Sequence, residues 1–223
     1  MARDYLNAFN HDLARSLNTL SNRLSDAGHL EEALEAVREC VALSRILARG
    51  QPHAFNPDLS RVLNTLSARL SGLGHREEAF GAARECVALR CDLAQNQPGA
   101  FNRDLAHSLC NLSDRLSDLG YREKALVAAR ECMALRRHLA RGSPRAFNPS
   151  VARSLTTLYN RLSDFGHREE ALEVMRECVA LYRDLARDRQ NPFDQYFAQS
   201  LRALSNCFPP LVTWSKHSML YKN

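Results

Sequence analysis

The 223 residues include one tryptophan, nine glycines and eight prolines, and aromatic residues make up 7% of the chain. So little glycine and proline excludes collagen-like and low-complexity classes and suits a helical protein. The scarcity of aromatics and the lack of a basic run argue against a nucleic-acid surface built on base stacking. No stretch approaches the roughly 20 apolar residues of a membrane span. Met1 to Asn10 also lacks the apolar run of a signal peptide, so the chain is expected to be soluble and cytoplasmic. Seven cysteines, an odd number, do not make a disulfide framework. The chain has no G-x-x-x-x-G-K-[ST] phosphate loop and no H-E-x-x-H metal motif. Its net charge of +5 comes from 30 basic and 25 acidic residues interleaved along the chain, the pattern of a solvated helix surface.

What the chain does contain is a repeat. The segment LNTLSNRLSDAGHLEEALEAVRECVAL begins at Leu17, and close copies begin at Leu63, Leu109 and Leu155, each 46 residues after the last. A fixed period of this size marks an array whose units bury their core against their neighbours. The array covers residues 2–206, in units of about 8–53, 54–99, 100–145 and 146–191 and a partial unit 192–206; the tail 207–223 does not repeat.

Each unit opens on Ala-Phe-Asn, at Phe9, Phe55, Phe101 and Phe147, with Phe193 continuing the register. Asn10, Asn56, Asn102 and Asn148 are expected helix N-caps, which puts Pro57 and Pro149 at the first helical position. Leu13, Leu17, Leu20 and Leu24 step by four, three and four and lay one apolar stripe on the first helix. Gly28, Gly74, Gly120 and Gly166 are placed to end that helix in the left-handed conformation. The second helix has Glu31 and Glu32 in its first turn and Arg45 and Arg49 near its end, charges that complement its dipole. Its inner face carries Ala33, Val37, Cys40 and Leu47, with Ala36 and Leu43 alongside. Cys40, Cys86, Cys132 and Cys178 fall at one repeat position and read as small buried residues. The unit is thus a hairpin of two helices of about 16 to 20 residues.

Both ends fall inside a unit. Ala2-Arg3 aligns with Ala48-Arg49, and Phe193 to Asn206 follows the pattern until Cys207-Phe208-Pro209-Pro210 replaces Arg-Leu-Ser-Asp. Two readings stand: a piece of a longer array, or a capping helix followed by a tail bearing Trp214.

The order Leu17, Leu20, Leu24, Gly28, Ala33, Val37, Cys40, repeated in four units, resembles the tetratricopeptide repeat. The chain departs from it in having Leu for Trp and Tyr, Ser21, Ser67, Ser113 or Tyr159 for a small Gly, and 46 residues against about 34. The long unit and its Leu-Asn-x-Leu segment look like kinesin light chains. The Phe-Asn-Pro-Asp-Leu and Arg-Leu-Ser-Asp-x-Gly wording looks like repeat arrays that follow NB-ARC domains in NLR-like proteins. The resemblance implies an all-α, right-handed superhelical solenoid of antiparallel hairpins. It also implies a non-catalytic protein-binding scaffold without cofactor or metal, the sensor or interaction part of an NLR-like system.

In that family the first helices line a concave, peptide-binding face. Carried over residue by residue, that face holds Arg15, Asn18 and Asn22; Arg61 and Asn64; His107 and Asn111; and Arg153 and Asn160, with Thr19, Thr65, Ala68, Cys110, Asp114, Thr156 and Thr157 between them. Asn amides can pair with a peptide backbone, and the basic stripe favours carboxylates, so the expected ligand is an acidic peptide. An exposed face copied by duplication is the plainer reading. If the ligand reading holds, Asn18→Ala with Asn64→Ala should leave melting unchanged. Cys110, in place of an Asn, is expected to be accessible, and His29, His75 and His167 are expected to cap their turns. Two other functions remain open: self-association of a truncated fragment through open repeat ends, and nucleic-acid binding.

Overall fold

The computed structural model describes residues 2–188 and 194–207. Among these, all regular structure is α-helical: α1 (Ala2–Asp26), α2 (Leu30–Gly50), α3 (Pro52–Gly72), α4 (Arg76–Asn96), α5 (Pro98–Asp118), α6 (Arg122–Gly142), α7 (Pro144–Phe165), α8 (Arg168–Asp188) and α9 (Asp194–Cys207). Phe193, Pro209, Pro210 and Trp214 lie outside the described residues. The chain divides into two compact units, Met1–Leu139 and Ala140–Asn223.

In the first unit, successive helices fold back antiparallel at two kinds of turn. At the end of α1, Gly28 takes φ +87°, and the His29 N–H reaches back to the Leu24 carbonyl at 2.8 Å while the Gly28 N–H reaches Ser25. This Schellman arrangement satisfies carbonyls that the helix end would orphan, and only glycine adopts that φ without strain. The same turn recurs after α3, α5 and, in the second unit, α7. The histidine therefore caps with its backbone: its side chain makes no cap hydrogen bond. Its ring turns instead to Glu32 or Glu78, at 3.1 Å and 3.9 Å.

The second kind of turn is a single residue. Gln51 joins Gly50 to Pro52 in an extended conformation, as residues before proline prefer. The first helices thus begin at Pro52, Pro98 and Pro144, not at the asparagines expected to cap them, and Pro57 and Pro149 sit inside α3 and α7. Two reasons are visible. Pro52 takes the first helical position, where its missing N–H costs nothing. Starting there also brings Phe55 into the first helical turn, where it packs on the core. The carbonyl that Pro57 leaves without a donor belongs to His53, in an exposed first turn that water reaches. The earlier start is why α3, α5 and α7 run to 21 or 22 residues and exceed the expected length.

The core is the apolar stripe of each first helix set against the small residues of the second. Ala14, Cys40, Val41, Leu59, Val62, Leu63 and Cys86 form one buried cluster across α1 to α4. Leu34 and Val37 of α2 pack with Leu70 of α3 and Ala79 of α4 in another. Leu109, Cys110 and Cys132 join α5 to α6. Cys110 is 8% exposed, so it is a core residue and not the accessible thiol its groove position suggested. In the second unit, Leu155, Leu162, Met175 and Cys178 fill the equivalent places on α7 and α8.

Candidate functional site

The residues assigned to the ligand face lie on α1, α3, α5 and α7, and within the first unit they meet across neighbouring helices. Asn111 Nδ2 of α5 donates to Asn64 Oδ1 of α3 at 2.7 Å. Arg69 of α3 donates to Asn22 Oδ1 of α1 at 2.8 Å. Nearer the start of these helices, His11 Nε2 of α1 donates to Asp58 of α3 at 3.0 Å, and its ring tilts against Phe55. Partners in all three contacts are 47 residues apart, one repeat plus one. The column of polar side chains is therefore a row of contacts between units as well as a surface.

The remaining groove positions divide by environment. Arg15 is exposed and makes no ion pair with a described residue, whereas Arg61 is held by Asp58 at 2.8 Å. Asn18 is 8% exposed, and its Oδ1 is buried without a donor among the described residues. His107 is exposed and already engaged with a neighbour. Burial opposes ionisation of Asp58, but the hydrogen bonds from Arg61 and His11 outweigh it and hold the carboxyl below its ordinary value.

Arg153, Thr156, Thr157 and Asn160 of the second unit line a cavity of about 340 Å³ with Tyr159, Met175, Tyr182, Tyr196, Gln199 and Ser200. Arg153 and Asn160 are exposed at its rim. Tyr182 and Tyr196 stack at 6.0 Å, and burial pushes the Tyr182 phenol up to about 12. The cavity has room for a side chain, with an aromatic wall and a guanidinium beside it.

Three repeated features escaped the sequence reading. Ser21, Ser67 and Ser113 are buried, and each hydroxyl donates to the carbonyl of Ala33, Ala79 or Ala125, 12 residues on, at 2.7 to 2.9 Å. They clamp the two helices of a hairpin where the related family places glycine. Cys40, Cys86 and Cys178 donate their thiols to the carbonyls of Ala14, Ser60 and Ala152. Burial raises the pKa of all three thiols. Arg90, 4% exposed, bonds the Asp104 carbonyl at 2.7 Å and Ser60 Oγ at 3.4 Å. Its recurrence at Arg136 was the available signal, but an arginine in a helix reads first as surface.

Among the described residues, no cluster of three His, Cys, Asp or Glu side chains could hold a metal ion, and no helix is long and apolar enough to cross a membrane. No protein of curated function matches the sequence at a significant level. Several solved structures share the fold. A Podosopora anserina kinesin light chain of nearly identical TPR-like repeats superposes with a TM-score of 0.63 at 20% identity, over 86% of this chain and 93% of that one. BtubC (BKLC) from P. vanneervenii gives 0.68 at 16% identity, over 82% and 68%. The apo form of RapI gives 0.62 at 11%, over 87% and 69%. At these identities the likeness is one of fold. Residues 151–192 match the family model of anaphase-promoting complex subunit 5. The tetratricopeptide repeat model matches residues 13–52, 59–95 and 105–144, more than half of the chain, over the hairpins whose glycine turns and stacked cores are described above, and the chain belongs to that family.

Proposed function

We propose that the chain is a non-catalytic scaffold of the cytoplasm that binds a mildly acidic protein segment along its first-helix face. The observation that carries this is Arg15, exposed on the first-helix face and without an ion pair among the described residues. A carboxylate of that segment would meet Arg15, and in the second unit Arg153 offers the same cation beside a cavity with room for a side chain. The Arg-Leu-Ser-Asp-x-Gly wording supports placing the scaffold in the sensor or interaction part of an NLR-like system. The test is affinity capture followed by fluorescence titration with peptides tiled from the captured protein. Binding should concentrate in acidic tiles and fall in Arg15→Glu with Arg153→Glu while melting holds. Equal binding of neutral tiles, or of the double variant, would overturn the proposal.

A second reading has one observation in its favour. Leu20 is 48% exposed, while its repeat equivalent Leu66 packs against Leu34 and Val37 of the preceding helix. Stacking of α1 on a second copy would cover Leu20. Light scattering should then show concentration-dependent dimers that Leu20→Glu abolishes; a strict monomer at high concentration removes this reading.

A further inference from the structure

Because the four units are near copies, the places where one departs from the rest stand out, and several departures fall together on α4 and α6. Arg38, Arg84, Arg130 and Arg176 repeat on the second helices, and Glu32, Glu78 and Glu170 repeat six residues before them, but the third unit has Lys124. At the first step of this ladder, Arg38 of α2 meets Glu78 of α4 at 2.9 Å. One step on, the same two positions hold Arg84 and Lys124, both cations. Phe80 replaces Leu34, Leu126 and Leu172. Tyr121 replaces His29, His75 and His167, and Gly81 and Val127 stand where the first and fourth units carry Glu35 and Glu173.

These residues touch. The Arg84 guanidinium lies over the Phe80 ring at 5.7 Å, Phe80 and Tyr121 are 6.5 Å apart, and Lys124 lies over Tyr121 at 5.3 Å. Tyr121 is 51% and Val127 54% exposed. Neither Arg84 nor Lys124 makes an ion pair with a described residue. Each cation is attracted to the face of its ring, which leaves the positive charge unneutralised. The result is an exposed patch with apolar surface at its centre, two cations beside it and no carboxylate at three positions where other units have one.

We propose that Arg84, Phe80, Tyr121, Lys124 and Val127 form a docking surface for an acidic segment of a partner protein, separate from the first-helix face. Carboxylates of that segment would bind Arg84 and Lys124, and an apolar side chain would cover Val127 and the edge of Tyr121. Charge complementarity selects this occupant. A nucleic acid would bring a continuous row of phosphates past Glu77 and Glu123, the acids in the first turns of α4 and α6, whereas a peptide can space its carboxylates around them.

The experiment is a nitrogen-15 amide titration of the full chain with a short acetylated peptide of alternating Glu and Leu, its Gln and Leu counterpart, and oligothymidylate. The acidic peptide should shift the amides of Arg84, Tyr121, Lys124 and Val127 saturably, and the Gln peptide should not. Lys124→Glu with Tyr121→His restores the composition of the other units, so it should fold at least as well and bind about tenfold more weakly at this patch, the loss expected for about one charge-assisted contact. Arg15→Glu with Arg153→Glu should leave the patch shifts unchanged, which separates this proposal from that for the first helices. Unchanged affinity in the restored variant, no saturable shift, shifts confined to the first helices, or a response to oligothymidylate alone would each overturn it.

Discussion

The hydrogen bond between Asn64 and Asn111 decides whether the asparagine column is a free binding surface or part of the frame. At 2.7 Å and partly buried, a neutral bond of this kind is worth about 1 kcal/mol net, in a range of roughly 0.5 to 1.5. Asn64→Ala and Asn111→Ala remove the same bond, so each should cost about that much, and the double variant little more than either single one. The coupling energy is then about 1 kcal/mol. For a chain of this length, 1 kcal/mol moves the melting temperature by about 2 to 4 °C. The assay is urea and thermal unfolding followed by far-ultraviolet circular dichroism, read with an unchanged urea slope because repeat arrays need not unfold in two states. Additive single costs, with coupling below about 0.3 kcal/mol, would refute the bond. The result bears on ligands directly: an amide that uses Asn64 must first displace Asn111. The expectation that Asn64→Ala leaves melting unchanged therefore gives way to a measurable loss, and Asn18→Ala, which removes an acceptor without a donor, should cost less than Asn64→Ala.

Asp58 offers a test by pH. Its folded pKa lies below the ordinary 3.8, so its contribution is present above that value and is lost as pH falls through the folded pKa. Asp58→Asn should lower the urea midpoint at pH 7 by well under 1 kcal/mol equivalent, since the pair is partly exposed, and the gap should close as pH falls through the folded pKa; a gap independent of pH would sink the assignment. Two glycines two residues apart should respond with opposite signs in thermal melts. Gly74→Ala, at φ +81° with open space around a new Cβ, should cost about 1 to 2 kcal/mol through strain alone. Gly72→Ala, the last residue of α3, should stabilise by up to about 0.5 to 1 kcal/mol. In a Cys207→Ser background, alkylation mapped by mass spectrometry should reach Cys91, half-buried with its pKa raised by burial and by Asp92 and Glu131, before Cys40, Cys86, Cys110, Cys132 or Cys178.

The architecture was legible because it is written in positions that repeat. A left-handed glycine, an apolar stripe and a small-residue face recur every 46 residues, and each has one structural meaning wherever it occurs. The helix starts were misplaced because two signals competed, Asn-Pro and a proline five residues earlier, and sequence alone does not show that Phe55 needs a helical turn around it to reach the core. The candidate site was legible as positions but not as contacts. That Asn64 meets Asn111 depends on an offset of one repeat plus one, which follows from how neighbouring helices slide past each other and not from periodicity. Cys110 and Arg90 were hidden for a related reason: residue type suggested exposure, and packing between units buried both.

Arg90 belongs to a position whose variation carries the difference between units. Ser44, Arg90, Arg136 and Tyr182 are repeat equivalents, all at most 5% exposed. Ser44 lies by a void of only about 10 Å³ beside His11, Arg15, Phe55 and Asp58. Arg90 fills the equivalent space with a guanidinium bonded to the Asp104 carbonyl and Ser60; a buried cation needs such acceptors or it would cost several kcal/mol. Tyr182 stacks on Tyr196, beside a cavity of about 340 Å³. The same backbone slot is thus nearly closed, plugged by a charge, or opened between aromatic rings, according to one side chain. Duplication supplies a frame that tolerates this because the glycine turns and the thiols of Cys40, Cys86 and Cys178, with Ser21, Ser67 and Ser113 in the first three hairpins, hold the helices through backbone carbonyls, independently of what fills the slot. On the proposed readings, differences in ligand preference along the array would reside in the plug position and in the α4 and α6 patch, where the copies have diverged, and not in the residues that define the repeat.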